Sequence, residues 1–295
     1  MTERVERGRN QLVAIAAVSI VVFAAVYVFA VRSGVGQRLD ASALKGRGVL
    51  SHRDVVVAQR VHTALDVASL TLLGGAITLV ALIRGRARLA VGAGTLLVGS
   101  VATSESLKHV LTRPHFGVAG GLGNMPTYPS GHTTIAMALS VSAMFVAPRR
   151  WRAPVAALGV AFASGVGCSL VATASHRPSD VVGAALVVTA WAALVAAMLL
   201  RPGAARSRGR PMLLRVSPWM ALAGVGLLVA SFAVAAVSIV AFHYGRLGTV
   251  TFGHAFVAAS SAVIGTVLTC TAALLLALQD SELDSSAPLA TVMQG

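Results

Sequence analysis

The stretch SHRPSDVVGAALVVTAWAALVAAMLL, residues 175–200, decides the fold of this chain. Its apolar part is long enough to cross a bilayer core, which takes about 20 helical residues. A histidine, an arginine and an aspartate come directly before that part. Ionisable side chains at membrane depth are costly, so their presence beside a membrane helix points to function. The stretch therefore predicts a membrane helix with a polar site at its start.

Apolar runs of similar length recur along the whole chain. Of its 295 residues 56% are hydrophobic and only 12% are charged, which excludes an ordinary soluble domain. Together the runs predict eight membrane helices, over 12–31, 62–83, 88–107, 131–147, 154–174, 180–200, 217–242 and 253–278. We therefore predict an all-α fold, a polytopic membrane helical bundle.

The composition divides the chain into four parts. We predict a core with six transmembrane helices over 1–200, a basic cytoplasmic linker over 201–216, an appendage of two further transmembrane helices over 217–278 and a disordered tail over 279–295. Within the core, the long polar stretch between the first two membrane helices is predicted to form a surface helix or lid. Its sequence shows no motif.

The net charge of +14 is explained by topology rather than by a nucleic-acid partner. Basic residues collect in the short cytoplasmic loops of membrane proteins. With the N-terminus in the cytoplasm, 14 of the 24 basic residues fall on the inner side, and six of the other ten belong to the long first loop. We therefore predict a multi-pass protein of the plasma (cytoplasmic) membrane, with both termini in the cytoplasm and no nucleic-acid partner.

Three short polar segments fall on the outer side in this topology: KHVLTRPHFG (108–117), PSGHTT (129–134) and SHRPSD (175–180). In the second, Ser130 is a good N-cap for the fourth membrane helix. The free N–H groups of a helix start bind anions, and Gly131 lets a phosphate approach the backbone closely. His132 would then stand beside the phosphate as a proton donor.

The third segment supplies a second histidine. Four residues separate His176 from Asp180, so the carboxylate can accept a hydrogen bond from one ring nitrogen and leave the other as a nucleophile. Two membrane crossings separate the two histidines, which returns them to the same side. Lys108, Arg113 and Arg177 supply cations that can stabilise a phosphoryl group.

These segments resemble the three signature motifs of the type 2 phosphatidic acid phosphatase (PAP2) superfamily, which includes membrane lipid phosphate phosphatases. PSGH matches the second motif in full, and the other two are matched by Lys108, Ser169, His176 and Asp180. Two arginines of the family pattern are replaced here, by His115 in the first motif and by Leu170 in the third. The resemblance covers roughly residues 62–200.

The resemblance implies a metal-independent phosphatase without a cofactor, acting at the extracytoplasmic face through a phosphohistidine. Its substrate would be a lipid phosphomonoester or diphosphate: a polyprenyl phosphate or diphosphate, phosphatidylglycerophosphate or phosphatidic acid. His176 is implied as the nucleophile, Asp180 as its orienting group and His132 as the general acid. The residues implied or suggested by proximity as substrate-binding are Lys108, Ser130, Gly131, Arg113, His115 and Arg177.

Two alternatives stay open. One missing donor typically costs about 10²–10³ in rate, so the replacements at 115 and 170 also fit a catalytically weakened protein that binds or transports lipid phosphates. A lipid-phosphate phosphotransferase, which would pass the phosphoryl group to an acceptor other than water, fits the same motifs. In a plainer interpretation, Lys108 pairs with Glu105 and extends its amine towards the membrane surface.

Overall fold

The computed structural model describes residues 2–64, 67–118, 122–123, 125–200, 216–243, 249–278 and 283. Within these ranges the chain is helical and has no named strand, which confirms the all-α prediction. The ten α-helices found there are α1 (Thr2–Val26), α2 (Gly34–Gly46), α3 (His52–Ala64), α4 (Val67–Ile83), α5 (Ala87–Val110), α6 (Gly131–Val146), α7 (Arg152–Ala172), α8 (Pro178–Leu199), α9 (Val216–His243) and α10 (Thr249–Ala277). A π-helical turn, Tyr27–Val31, extends α1.

The apolar helices make the chain a multi-pass membrane protein. Six of them are long and apolar enough to cross a bilayer: Glu6–Val31, Ala87–Val110, Arg149–Ala172, Pro178–Leu199, Ser217–Val240 and Thr251–Ala277. The predicted second and fourth membrane helices correspond to shorter apolar helices, Leu72–Ile83 and Gly131–Val146. The second differs from its predicted bounds, because residue 62 belongs to α3, which packs against α7.

Helix α8 occupies the centre of the bundle. It contacts α1, α5, α6 and α10, and 78% of its membrane window is buried inside the protein. Small residues let its neighbours approach closely: Gly99 of α5 lies against the Trp191 ring, and Gly167 of α7 lies against Val181. The stretch that opens with the third polar segment is thus the helix around which the others pack.

The polar stretch after α1 forms two helices at one end of the bundle, as its composition predicts. Helix α2 lies against the end of α1 and the start of α10, where a side chain at Gly46 would collide with the carbonyl of Phe252. Helix α3 is held on α7, because Ala58 is buried beside Val171 and Ala172. We call residues 34–64 the lid.

The last two helices pack on the rest of the bundle through α10. Helix α9 lies mainly on α10, and α10 contacts α2, α7 and α8. The largest apolar cluster contains Val267 and Leu274 of α10 together with Leu89 and Leu96 of α5. The predicted linker and tail lie outside the described residues apart from Val216, which begins α9, and Leu283, which is buried and forms an isolated bridge with Leu200.

Candidate active site

The three polar segments meet at the end of the bundle that carries the lid. The backbone N–H of Ser130 donates to the carbonyl of Asp180 at 2.9 Å, which joins the second segment to the third. The hydroxyl of Thr134 reaches that of Ser104 on α5 at 3.2 Å. The ends of α5 and α7 and the starts of α6 and α8 therefore surround one region.

The start of α6 has the local structure that its sequence predicts. Ser130 is fully buried, and its hydroxyl accepts from the backbone N–H of Thr133 at 3.4 Å, as an N-cap does. Next to it, the position that a Cβ of Gly131 would occupy lies 3.1 Å from Lys108 Nζ and 2.9 Å from Glu105 Oε1. The Lys108 ammonium thus lies beside a helix start with free N–H groups, which is the setting of an anion site.

The plainer interpretation of Lys108 also has support in the structure. Its ammonium donates to Glu105 Oε1 at 2.7 Å, and the glutamate side chain is about half exposed. Exposed ion pairs of this kind contribute only about 0–1 kcal/mol, so a phosphate could compete for the lysine at little cost. The ion pair and a phosphate site are therefore compatible.

The two predicted histidines lie next to each other. The ring centroids of His132 and His176 are 6.4 Å apart. His176 Nδ1 lies 3.4 Å from Asp180 Oδ2, and the same oxygen accepts from the backbone N–H of Arg177 at 3.0 Å. With Nδ1 facing the carboxylate, Nε2 is the nitrogen left for a substrate.

The side chain of Arg113 extends from the loop after α5 to the buried carboxylate of Asp180. Its Nη2 is 3.6 Å from Asp180 Oδ1, and both side chains are almost fully buried. Within the described part of the chain, Arg113 Nη2 and Asp180 Oδ1 have no hydrogen-bond partner. The pair is therefore held by charge, and the guanidinium has donors left over for a further oxygen ligand.

The other two proposed cations have different positions. Arg177 is buried and donates to Thr127 Oγ1 at 2.8 Å and to the carbonyl of Gly123, so its guanidinium holds the loop before α6. His115 is exposed in the loop after α5. The buried Leu170 clusters with Ala136 and Val166, so an apolar side chain takes up the place of the family arginine.

Two lid residues reach this region that the sequence did not single out. The buried Asp40 of α2 accepts from the backbone N–H of Ser179 at 3.2 Å and from its hydroxyl at 2.6 Å, and so holds the start of α8. On α3, His62 has its ring centroid 5.1 Å from that of His132. Neither residue carries a local signal, because only the packing of the lid brings it to the site.

Burial and the nearby Asp180 raise the pKa of Asp40 from 3.8 to about 6. The folded protein therefore binds this proton more tightly than the unfolded chain does. The resulting stability is present in full below pH 3.8 and is lost as the pH rises through about 6, by roughly 3 kcal/mol in total. We expect the Asp40→Asn variant to gain stability relative to the native protein over this pH range, measured by thermal unfolding in detergent.

The exposed Asp54 of α3 is the matched control for this experiment. Hydrogen bonds from Ser51 lower its pKa, so the pH dependence should have the opposite sign. The native protein is expected to be more stable than the Asp54→Asn variant near neutral pH and to lose this extra stability as the pH falls. A stability difference between native protein and Asp40→Asn that stays constant with pH would contradict the role assigned to Asp40.

Gly131 provides a direct test of the anion site. A Cβ there would come within 2.9 Å of Glu105 Oε1 and 3.1 Å of Lys108 Nζ, so Gly131→Ala pushes this ion pair away from the helix start. We expect inorganic phosphate binding, measured by calorimetry, to weaken about tenfold or more, because one charge-assisted contact contributes about 1.5–3 kcal/mol. Gly165→Ala on α7 is the control, since nothing lies within 4 Å of its Cβ position. Equal binding by Gly131→Ala and the native protein would place the phosphate elsewhere.

The fold and the site define a multi-pass α-helical membrane protein with a histidine pair and an oriented carboxylate at one end of the bundle. Residues 89–204 match the family model described as PAP2 superfamily. The match includes all three polar segments and confirms the resemblance to this superfamily, whose members are generally phosphatases. No curated protein and no solved structure matches the chain.

Proposed function

We propose that this chain is a metal-independent membrane phosphatase that hydrolyses a lipid phosphomonoester or diphosphate through a phosphohistidine at His176. The observation that carries the proposal is the position of the His132 and His176 rings, whose centroids are 6.4 Å apart, with the Asp180 carboxylate at Nδ1 of His176. In this proposal residues 1–200 form the catalytic core, and the last two helices support it.

The first step forms the N–P bond. His176 Nε2 attacks phosphorus, the bond from phosphorus to the leaving oxygen breaks, and His132 gives its proton to that oxygen. Asp180 accepts from Nδ1–H of His176 and stabilises the positive charge that develops on the ring. The phosphoryl oxygens are held by Lys108 and by the N–H groups at the start of α6.

The second step returns the enzyme to its starting state. A water molecule gives a proton to His132 as its oxygen attacks phosphorus, the N–P bond breaks, and phosphate leaves. His132 is then protonated and His176 is again neutral at Nε2. Only His132 gives up and regains a proton; His176 carries the phosphoryl group, and Asp180 stays ionised throughout.

A lipid substrate is supported by the surroundings of the site. Val110, Phe116 and Met125 are exposed large apolar side chains on the segments that approach it. A site at the membrane surface with such neighbours suits an amphiphile, whose chains stay in the bilayer while its phosphate reaches the histidines. The distribution of basic residues favours an extracytoplasmic site in the plasma membrane, with both termini in the cytoplasm.

The proposal is tested by phosphate release from purified protein in detergent. The substrates are a polyprenyl phosphate, a polyprenyl diphosphate, phosphatidylglycerophosphate, phosphatidic acid and a water-soluble phosphomonoester, each with and without EDTA. We expect release from at least one lipid at a higher kcat/KM than from the soluble ester, unchanged by EDTA. Loss of activity with EDTA would contradict the metal-independent mechanism, and a preference for the soluble ester would contradict the lipid substrate.

Leu170 favours one alternative for the same assay. Because its side chain is fully buried among apolar residues, no guanidinium can reach the site from that position. A protein that binds these lipids tightly without releasing phosphate would be the weakened binding or transport protein. Release that requires an added alcohol acceptor would identify a phosphotransferase.

A further inference from the structure

The site contains a third imidazole that none of the three motifs includes. His62 of the lid lies with its ring at 80° to that of His132, centroid to centroid 5.1 Å, and its Nδ1 is 3.4 Å from Ser175 Oγ. Ser175 immediately precedes His176. The lid residue therefore contacts His132 and the residue before His176, on a helix held in place by its packing on α7.

The contacts around the Ser175 hydroxyl determine which atom of each pair is the hydrogen-bond donor. The hydroxyl of Thr173 donates its one proton to the carbonyl of Ser169 at 2.9 Å. Thr173 must then accept in its 2.9 Å contact with Ser175, so the Ser175 proton is used there. Ser175 Oγ is left as an acceptor, and the proton between it and His62 belongs to Nδ1. Nε2 is therefore the atom of His62 left for a ligand.

Position 170 supplies no positive charge to the site, although the family pattern has an arginine there. A phosphoryl group between His132 and His176 receives no guanidinium from position 170, which holds a buried leucine. The guanidinium of Arg177 is engaged with the loop before α6. The titratable groups that face His62 and its neighbours are His132, His176, Asp180 with its partner Arg113, and the pair of Lys108 and Glu105.

We propose that His62 is a phosphate-binding residue of this site: as an imidazolium it donates from Nδ1 to Ser175 and from Nε2 to a phosphoryl oxygen of the substrate. It supplies from the lid the charge that the family pattern supplies from position 170. The proposal rests on the proposed function for its substrate class. It also makes α3 a wall of the active site, so that substrate binding holds the lid closed on the bundle.

The test compares His62→Ala, His62→Arg and the control His52→Ala, which removes an exposed histidine from the same helix. Full-length proteins in detergent are titrated with orthovanadate, an analogue of the five-coordinate phosphoryl group, and kcat/KM is measured on the preferred lipid phosphate. We expect His62→Ala to weaken vanadate binding and to lower kcat/KM about 10²-fold, the usual cost of one positioned donor. His52→Ala is expected to match the native protein.

A charged replacement separates a charge role from a structural one. A guanidinium supplies a permanent positive charge and hydrogen-bond donors, which alanine lacks. We therefore expect His62→Arg to recover most of the vanadate affinity and of the kcat/KM that His62→Ala loses. Native vanadate affinity in His62→Ala, or equal losses in His62→Ala and His62→Arg, would overturn the proposal. Absence of phosphate release from native protein would instead contradict the proposed function, and vanadate binding would still test His62.

Discussion

Replacing His176 with alanine is expected to lower kcat by roughly 10⁴–10⁶-fold, because in the proposed mechanism the N–P bond forms on this ring. The substitution leaves the fold intact: the ring is partly exposed, and its contact with Asp180 is long, at 3.4 Å. The measurement is single-turnover phosphate release in detergent. His109→Ala, which removes an exposed histidine of α5 next to Lys108, is the control and should leave kcat unchanged.

Either of two outcomes would contradict this expectation. If His176→Ala releases phosphate at the native rate, His176 is not the nucleophile. If His109→Ala loses as much activity as His176→Ala, the loss reports on the region rather than on the nucleophile. Thermal unfolding of each variant accompanies the assay, so that a loss of activity is not mistaken for a loss of folded protein.

Asp180→Ala is expected to damage both stability and catalysis. The carboxylate is fully buried, accepts the N–H of Arg177 and faces the buried guanidinium of Arg113. Removing one partner of a buried ion pair costs about 3–5 kcal/mol, because the other charge is left uncompensated. Loss of the group that orients a catalytic histidine costs about 10⁴ in kcat. Thermal unfolding and single-turnover kinetics measure the two effects.

A second substitution separates the two effects of Asp180. In the double variant Asp180→Ala with Arg113→Met, the uncompensated charge is gone, so part of the stability should return while kcat stays low. Asp54→Ala, which removes an exposed carboxylate that accepts from the N–H and the hydroxyl of Ser51 at the start of α3, should cost far less stability than Asp180→Ala. A double variant no more stable than Asp180→Ala would contradict the ion pair.

The sequence predicted the helices and the helix starts, because these depend on residues that are close together in the chain. Hydrophobic runs indicated the six helices long enough to cross a membrane and, besides them, two shorter apolar helices. The serine before Gly131 indicated the start of α6, because helix capping is a property of neighbouring residues. The meeting of His132 with His176 followed from counting membrane crossings. The spacing of His176 and Asp180 likewise predicted their contact.

The lid residues could not be predicted in this way. Asp40 lies in the polar stretch and His62 at the start of the predicted second membrane helix, and both reach the site only because α2 packs on α10 and α3 packs on α7. Arg177 follows His176 directly, yet its side chain points into the loop before α6. Side-chain direction and the packing of a polar loop are tertiary properties, so hydrophobic periodicity carries no information about them.

The central claim is that His176 receives the phosphoryl group of a lipid. The most direct measurement is to mix native protein with its preferred lipid phosphate, quench within the first turnover in alkali, where a phosphorus–nitrogen bond survives, and map the phosphorylated residue by mass spectrometry. The mechanism predicts phosphate on His176 in the native protein and none in His176→Ala. Rapid phosphate release with no phosphate on His176 at any quench time would contradict it.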